Sequence, residues 1–148
     1  MPFTAGQKLR ASQLAMIQPV KYFAQQTGNG GQQTITTTEA DCLNCFVTFT
    51  SLTAAKCTVV AAFDIEVSAT GAAIALGRCR VDSTTLGGEA HLVVSTAERA
   101  TVAQVWQFTL SGAGSHTVKL RVLKTAAAGT VFVDDTHTQM DLTVNEVL

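Results

Sequence analysis

Cys42 and Cys45 form a C-x-x-C pair, a spacing that serves either a tetrahedral zinc site or a dithiol redox centre. Zinc needs two further ligands at comparable spacing, whereas Cys57 and Cys79 stand alone. A thioredoxin-like dithiol opens a helix inside a βαβ unit, but this pair enters a stretch of strand-like alternation. Cys45, Cys57 and Cys79 each fall in phase with apolar neighbours, as buried free thiols do. Structural thiols are therefore favoured, with a metal site or a disulfide as the alternatives.

His91, His116 and His137 are the three imidazoles. His137 closes a D-D-x-H run with Asp134 and Asp135, whose carboxylates and imidazole are donors suited to a divalent metal. A polar hairpin turn with solvated acids is the favoured reading of that run. Gly112-Ala113-Gly114-Ser115-His116 leads into a strand rather than a helix, so it is not a nucleophile elbow. Asp64 and Glu66 share one strand face, as the two carboxylates of a glycosidase do. Solvent-facing acids explain them equally well, and no third group accompanies them. Gly28-Asn29-Gly30-Gly31 lacks the helix and lysine of a phosphate-binding loop. Trp106 has the ring to stack on a sugar, but its phase with Phe108 and Leu110 assigns it to the core. Arg78 and Arg80, next to Asp82, are too few for a nucleic-acid stripe. The expectation is a chain that is not an enzyme and uses no cofactor.

The elements around these residues are strands. Cys57, Val59, Ala61, Phe63, Ile65 and Val67 face one way, and Thr58, Asp64, Glu66 and Ser68 the other. That period of two buries one face of a strand and exposes the other. Leu43, Cys45, Val47 and Phe49 are expected on a single face of the preceding strand. Ala73 to Val81 reads as a strand covered in part on both sides. Trp106, Phe108 and Leu110 mark another, then Val118, Leu120 and Val122, then Val131 and Val133, then Met140, Leu142 and Val144. Thr70-Gly71, Gly87-Gly88 and Ser111 to Gly114 supply turns. Eight or nine strands at near-regular spacing predict an all-β fold, an antiparallel β-sandwich or jelly roll, over residues 34–148.

Residues 1–33 read differently. Leu9, Leu14 and Ile17 recur near helical spacing before Pro19, which ends that pattern. A polar run from Gln25 to Gln33 follows, expected as an extended linker without means of packing a core. The leader is too short to be stable alone, so it reads as a docking arm. Its candidate docking residues are Phe3, Leu9, Leu14 and Ile17, joined by Tyr22 and Phe23.

Charged residues make up only 14% of the 148 residues, hydrophobic ones 47%, and the net charge is −1. No basic field is present to attract nucleic acid or anionic lipid, so neither is an expected partner. Apolar runs fall well short of the ~20 residues that span a bilayer, and Gly6, Gln7, Lys8 and Arg10 interrupt any secretory h-region. The cytosol of the producing cell is thus the default compartment. So low a charge gives little protection against self-association, which suits a protein living in an assembly.

The opening Phe3-Thr4-Ala5-Gly6-Gln7-Lys8-Leu9-Arg10-Ala11-Ser12-Gln13-Leu14 resembles the start of many virion proteins of tailed bacteriophages. Ala15-Met16 stands where that pattern continues L-N. Gly114-Ser115-His116-Thr117-Val118-Lys119-Leu120 and Met140-Asp141-Leu142-Thr143-Val144 are similar to the C-terminal strands of jelly-roll domains in phage appendage and decoration proteins. The resemblance implies a structural virion protein, assembled in the host bacterial cytoplasm. It further implies a homotrimer held by its N-terminal segment to the major capsid protein or other virion proteins, decorating or stabilising the capsid exterior. The alternative is a minor tail or tail-fibre domain that binds a host surface glycan or receptor.

Overall fold

The computed structural model describes residues 18–28, 31–68, 71–127 and 129–147. The strands are β1 (Val20–Gln25), β2 (Gln32–Ile35), β3 (Ala40–Ser51), β4 (Ala55–Val67), β5 (Ala73–Val81) and β6 (Thr84–Thr85). They continue as β7 (Ala90–Val94), β8 (Arg99–Leu110), β9 (Gly114–Ala127), β10 (Val131–Asp134) and β11 (Gln139–Glu146). Every ladder is antiparallel. One sheet, here called the inner sheet, runs β1-β11-β4-β8 and continues along β10 and β2. The other, the outer sheet, runs β3-β9-β5, with β6 and β7 both on the far side of β5.

β10 and β11 both pair with the side of β4 away from β8, one beyond the other, as two pieces of an interrupted strand. β1 and β2 pair with β11 and β10 in the same way. Counting each interrupted pair as one strand gives eight strands in chain order. Their sheet orders are 1-8-3-6 and 2-7-4-5, the connectivity of a jelly roll. The all-β sandwich expected from the alternation is what the chain forms.

The core lies between the sheets. Phe63, Val59 and Ile65 of β4, Cys79, Ala75 and Gly77 of β5, and Val118, Leu120 and Val122 of β9 are all buried in it. Gly77 has a steric role in this packing. A Cβ there would stand 2.6 Å from the Phe63 ring, so glycine lets that ring press against the opposite backbone. Trp106 meets Phe63 edge to face at 6.3 Å and donates its indole N–H to the Gly88 carbonyl at 2.9 Å.

Two local departures from the sequence reading have physical causes. In β3, Asp41 pairs with Arg121 and Phe46 with Lys119, so Cys42 to Cys45 stand opposite the single residue Leu120. This bulge is built on Asn44 at φ 58°, a left-handed conformation that asparagine tolerates better than most residues. It shifts the phase: Cys42 is buried and Leu43 exposed, not on one face with Cys45, Val47 and Phe49 as expected. The second departure is the Gln25 to Gln33 run. Val20–Gln25 and Gln32–Ile35 are strands of the inner sheet, and Gln26 between them is fully buried.

Candidate functional site

The two interrupted strands break side by side, and side chains close the gap. Gln26 donates its backbone N–H to Thr138 O at 2.9 Å and its amide to Asp135 Oδ1 at 3.1 Å. Asp135 Oδ2 accepts from Gly31 N–H at 3.1 Å, and Asp135 N–H donates back to Gly31 O. Gly31 sits at φ 123°, a conformation side-chain-bearing residues avoid. The Thr138 hydroxyl, fully buried, accepts from the Asp64 N–H at 3.1 Å. These bonds replace the missing ladder and fix the turn that carries Asp134 and His137.

The turn and β4 together bring Asp64, Asp134 and His137 to within 4.8 Å of one another. Their number and chemistry would serve a divalent cation, but a guanidinium occupies the centre. Arg99 grips Asp64 with two bonds, Nε to Oδ1 at 2.9 Å and an Nη to Oδ2 at 2.7 Å. The same Nη reaches Asp134 Oδ2 at 3.2 Å and His137 Nδ1 at 2.9 Å. Burial raises the Asp134 carboxyl, but hydrogen bonds from His137 and Thr136 and the charge of Arg99 outweigh it, holding the group below its ordinary value. Asp64 in turn raises Arg99. Arg99 balances one of the two carboxylate charges and reaches both groups, so the residues do not fit a metal unless Arg99 swings away. It also corrects the expected solvated acids: Asp64, Asp134 and Asp135 are all buried. Glu66 points elsewhere, accepting from Gln32 Nε2 at 2.7 Å. His137 does lie 3.8 Å from Asp64, but that carboxylate is committed to Arg99.

His116 lies at the other end of the sandwich. Its Nδ1 is 2.9 Å from Asp82 Oδ2, and its ring packs on Phe49 at 5.9 Å. The His116 bond and the Thr117 N–H hold the Asp82 carboxyl below its ordinary value. His91 lies on β7 opposite Leu76, far along the sheet from this pair.

The four thiols are free and buried. Burial pushes Cys57 up to about 11 and Cys45 and Cys79 to about 12, and Cys42 well above its ordinary value. None is a poised thiolate nucleophile.

The two sheets turn unlike faces to the surroundings. Across the inner sheet, one row of outward residues reads Phe23, Asp141, Val60, Val105, and the next Gln25, Gln139, Ala62, Ala103. A third reads Lys21, Thr143, Thr58, Gln107. Phe23, Val60 and Val105 are 57%, 46% and 52% exposed. The outer sheet instead presents a lattice of ion pairs. Asp41 meets Lys119 at 2.6 Å and Arg121 at 2.7 Å, Glu39 meets Arg121 at 2.9 Å, and Glu89 meets Arg78 at 2.6 Å.

Of the candidate docking residues, Phe3, Leu9, Leu14 and Ile17 lie outside the described residues. Tyr22 and Phe23 are neighbours on β1 that point to opposite sides. Tyr22 packs on Phe49 at 5.5 Å and against the core, whereas Phe23 faces outward. Sequence reasoning missed Val60, Val105, Arg99 and Phe46. The first two were legible as apolar residues standing on the polar phase of their strands.

The sequence matches no family model and no curated protein. Among solved structures, it is similar to the Eiger TNF from S. frugiperda at TM-score 0.52 and 11% identity, over 87% of this chain and 93% of that one. It also matches infectious bursal disease virus Gx strain at TM-score 0.44 and 8% identity, over 88% of this chain and 38% of the viral one. The T13 particle of that virus gives 0.45 and 10%, over 87% and 36%. The first likeness shows a shared fold; the two viral ones are too distant to add to it.

Proposed function

We propose that the chain is a non-enzymatic structural protein of a phage particle, decorating or stabilising the capsid exterior as a homotrimer anchored by its N-terminal arm. The observation that supports self-association is the outward face of the inner sheet. Exposed Phe23, Val60 and Val105 share one outward row, and Asp141 in that row and Lys21 in a flanking one are the two charges among the twelve residues of the three rows, a face poor in charge as interface cores are. The outer sheet carries the ion pairs on its face, with Leu43, Phe46 and Val93 exposed among them. The phage assignment is supported by the N-terminal sequence pattern, and the absence of catalysis by a cluster in which Arg99 holds the Asp64 carboxylate in a bidentate pair. Sedimentation of the intact chain at micromolar concentration tests the oligomer. A monomer there overturns the trimer, and antibody labelling of purified virions tests the location.

The second reading, a tail or tail-fibre domain that binds a host glycan, is favoured by one observation. Phe46, an aromatic residue of β3, is 52% exposed on the outer sheet beside paired polar side chains.

A further inference from the structure

We propose that the groove beside the β3 bulge is a binding site for a neutral saccharide, with Phe46 as its stacking platform. The proposal deepens the glycan-binding reading and does not depend on the trimer or on the virion location.

The bulge makes the site. By setting Cys42 to Cys45 against one residue of β9, it turns Leu43 outward beside Phe46, and a groove of about 420 Å³ lies between them and β9. Asp41 and Lys119 stand along one part of its wall, Thr48 and Thr117 along another, with Leu43, Asn44 and Phe46 beside them. A pyranose has an apolar C–H face and an equatorial rim of hydroxyls that donate and accept together. Phe46 offers a ring to the first. The second needs donors and acceptors held in place, and the groove has both.

The polar groups are already oriented. Asp41 Oδ2 accepts from Lys119 Nζ at 2.6 Å, and Oδ1 from Arg121 Nε at 2.7 Å. Each carboxylate oxygen keeps a second lone pair, and the ammonium keeps two further N–H donors. Thr48 and Thr117 hydroxyls bond each other at 2.9 Å, which leaves one of them a free proton and both free lone pairs. Asn44 gives its amide N–H to Thr27 O at 2.9 Å, so its orientation is fixed by the neighbouring loop. Burial raises the Asp41 carboxyl, but Lys119 and Arg121 more than offset that and keep it ionised at neutral pH as an acceptor.

The charge pattern selects the ligand class. The groove's anion and cation, Asp41 and Lys119, are paired with each other, so neither a free cation awaits an acidic sugar nor a free anion a basic one. Polar groups placed in a partly apolar pocket fix orientation rather than supply bulk affinity.

The test is a titration of the full chain with the methyl glycosides of glucose, galactose, mannose and N-acetylglucosamine, followed by amide NMR. We expect saturable shifts at Phe46, Thr48, Thr117 and Lys119 with at least one glycoside, in the millimolar range usual for a weak single-site ligand. Phe46→Ala should weaken that binding about tenfold or more and Phe46→Trp should retain it. Folding of both variants is checked by thermal melting, since Phe46 makes little of the core. Val60→Lys, on the opposite sheet, should leave sugar binding unchanged whatever it does to assembly, which separates this site from the trimer. Absence of saturable shifts with all four sugars up to about 50 mM overturns the proposal. So does binding that survives Phe46→Ala, or a preference for a methyl sialoside over all four neutral sugars.

Discussion

Gly77 and Phe63 show how closely the two sheets are fitted. The Phe63 ring occupies the space a Cβ on residue 77 would need, 2.6 Å away. Gly77→Ala should therefore destabilise the fold by about 1–3 kcal/mol through overpacking. In a Phe63→Leu background the same change should cost less, because the rim of the ring is gone. Equilibrium urea denaturation of the four proteins measures the coupling, and equal costs in both backgrounds would show that the contact is not the cause. Arg99 supports a second prediction at this scale. Arg99→Met leaves the buried Asp64 carboxylate without its bidentate partner. Breaking a fully buried pair costs ~3–5 kcal/mol, but the Arg99 side chain is 40% exposed, so about 2 kcal/mol is expected here. Adding Asp64→Asn to Arg99→Met should recover part of it; no recovery in a thermal melt would place the loss in packing instead. The thiols give a third. All four are buried, and burial holds Cys57 up at about 11, Cys45 and Cys79 at about 12 and Cys42 well above its ordinary value, so a disulfide reagent at pH 8 should label none rapidly in the native protein and four after unfolding.

Strands, rather than single residues, are what the lowered carboxyls tie together. Asp41 links β3 to Lys119 and Arg121 of β9, Asp82 links the turn after β5 to His116 and Thr117, and Asp134 links β10 to His137 and Arg99. Each is held below its ordinary value in the folded chain. A depressed carboxyl favours folding above its unfolded pKa, about 3.9, and that contribution is lost as pH falls through the folded value. The melting temperature should thus be steady above about pH 5 and fall as pH drops through 4 and below. A flat profile from pH 6 to pH 3 would show that these ties contribute nothing. The period of two made most strands legible: Val59, Phe63, Val118, Leu120, Met140 and Leu142 are buried in the phase the sequence indicates. The β3 bulge was not legible, because nothing in Cys-Leu-Asn-Cys distinguishes an asparagine at φ 58° from one in an ordinary strand. Nor was the burial of Gln26, since its partners Val133, Asp135 and Thr138 lie more than a hundred residues away in sequence. The Asp64, Asp134 and His137 meeting had the same obstacle. The D-D-x-H run was visible, whereas Arg99 and Asp64 join it only through the register of β4 with β8 and β10.

At the scale of the whole molecule, the inner sheet gathers exposed apolar residues onto one outward row. β1 starts at Val20, paired with Val144, and carries Phe23 onto the same outward row as Val60 and Val105. Residues up to Gln18 can therefore be removed without taking a single pair from the β1–β11 ladder. If the inner-sheet face assembles the trimer and the arm anchors it, the two functions separate by mutation. Deleting residues 1–18 should leave a folded trimer with an unchanged melting temperature that no longer binds particles. On that reading each arm would contribute apolar burial at ~25 cal/mol per Å², offset by the entropy of ordering it, so one arm alone would bind modestly. Three arms on one trimer would raise the effective concentration of the second and third contacts and convert this into firm attachment. Val60→Lys with Val105→Lys should do the reverse, giving folded monomers whose single arm binds particles at least tenfold more weakly than the trimer. Light scattering reads the oligomer and co-sedimentation with particles reads the attachment. Particles fully decorated by the truncated chain would remove the arm from the account, and a doubly substituted protein that is still trimeric would move the interface to another face.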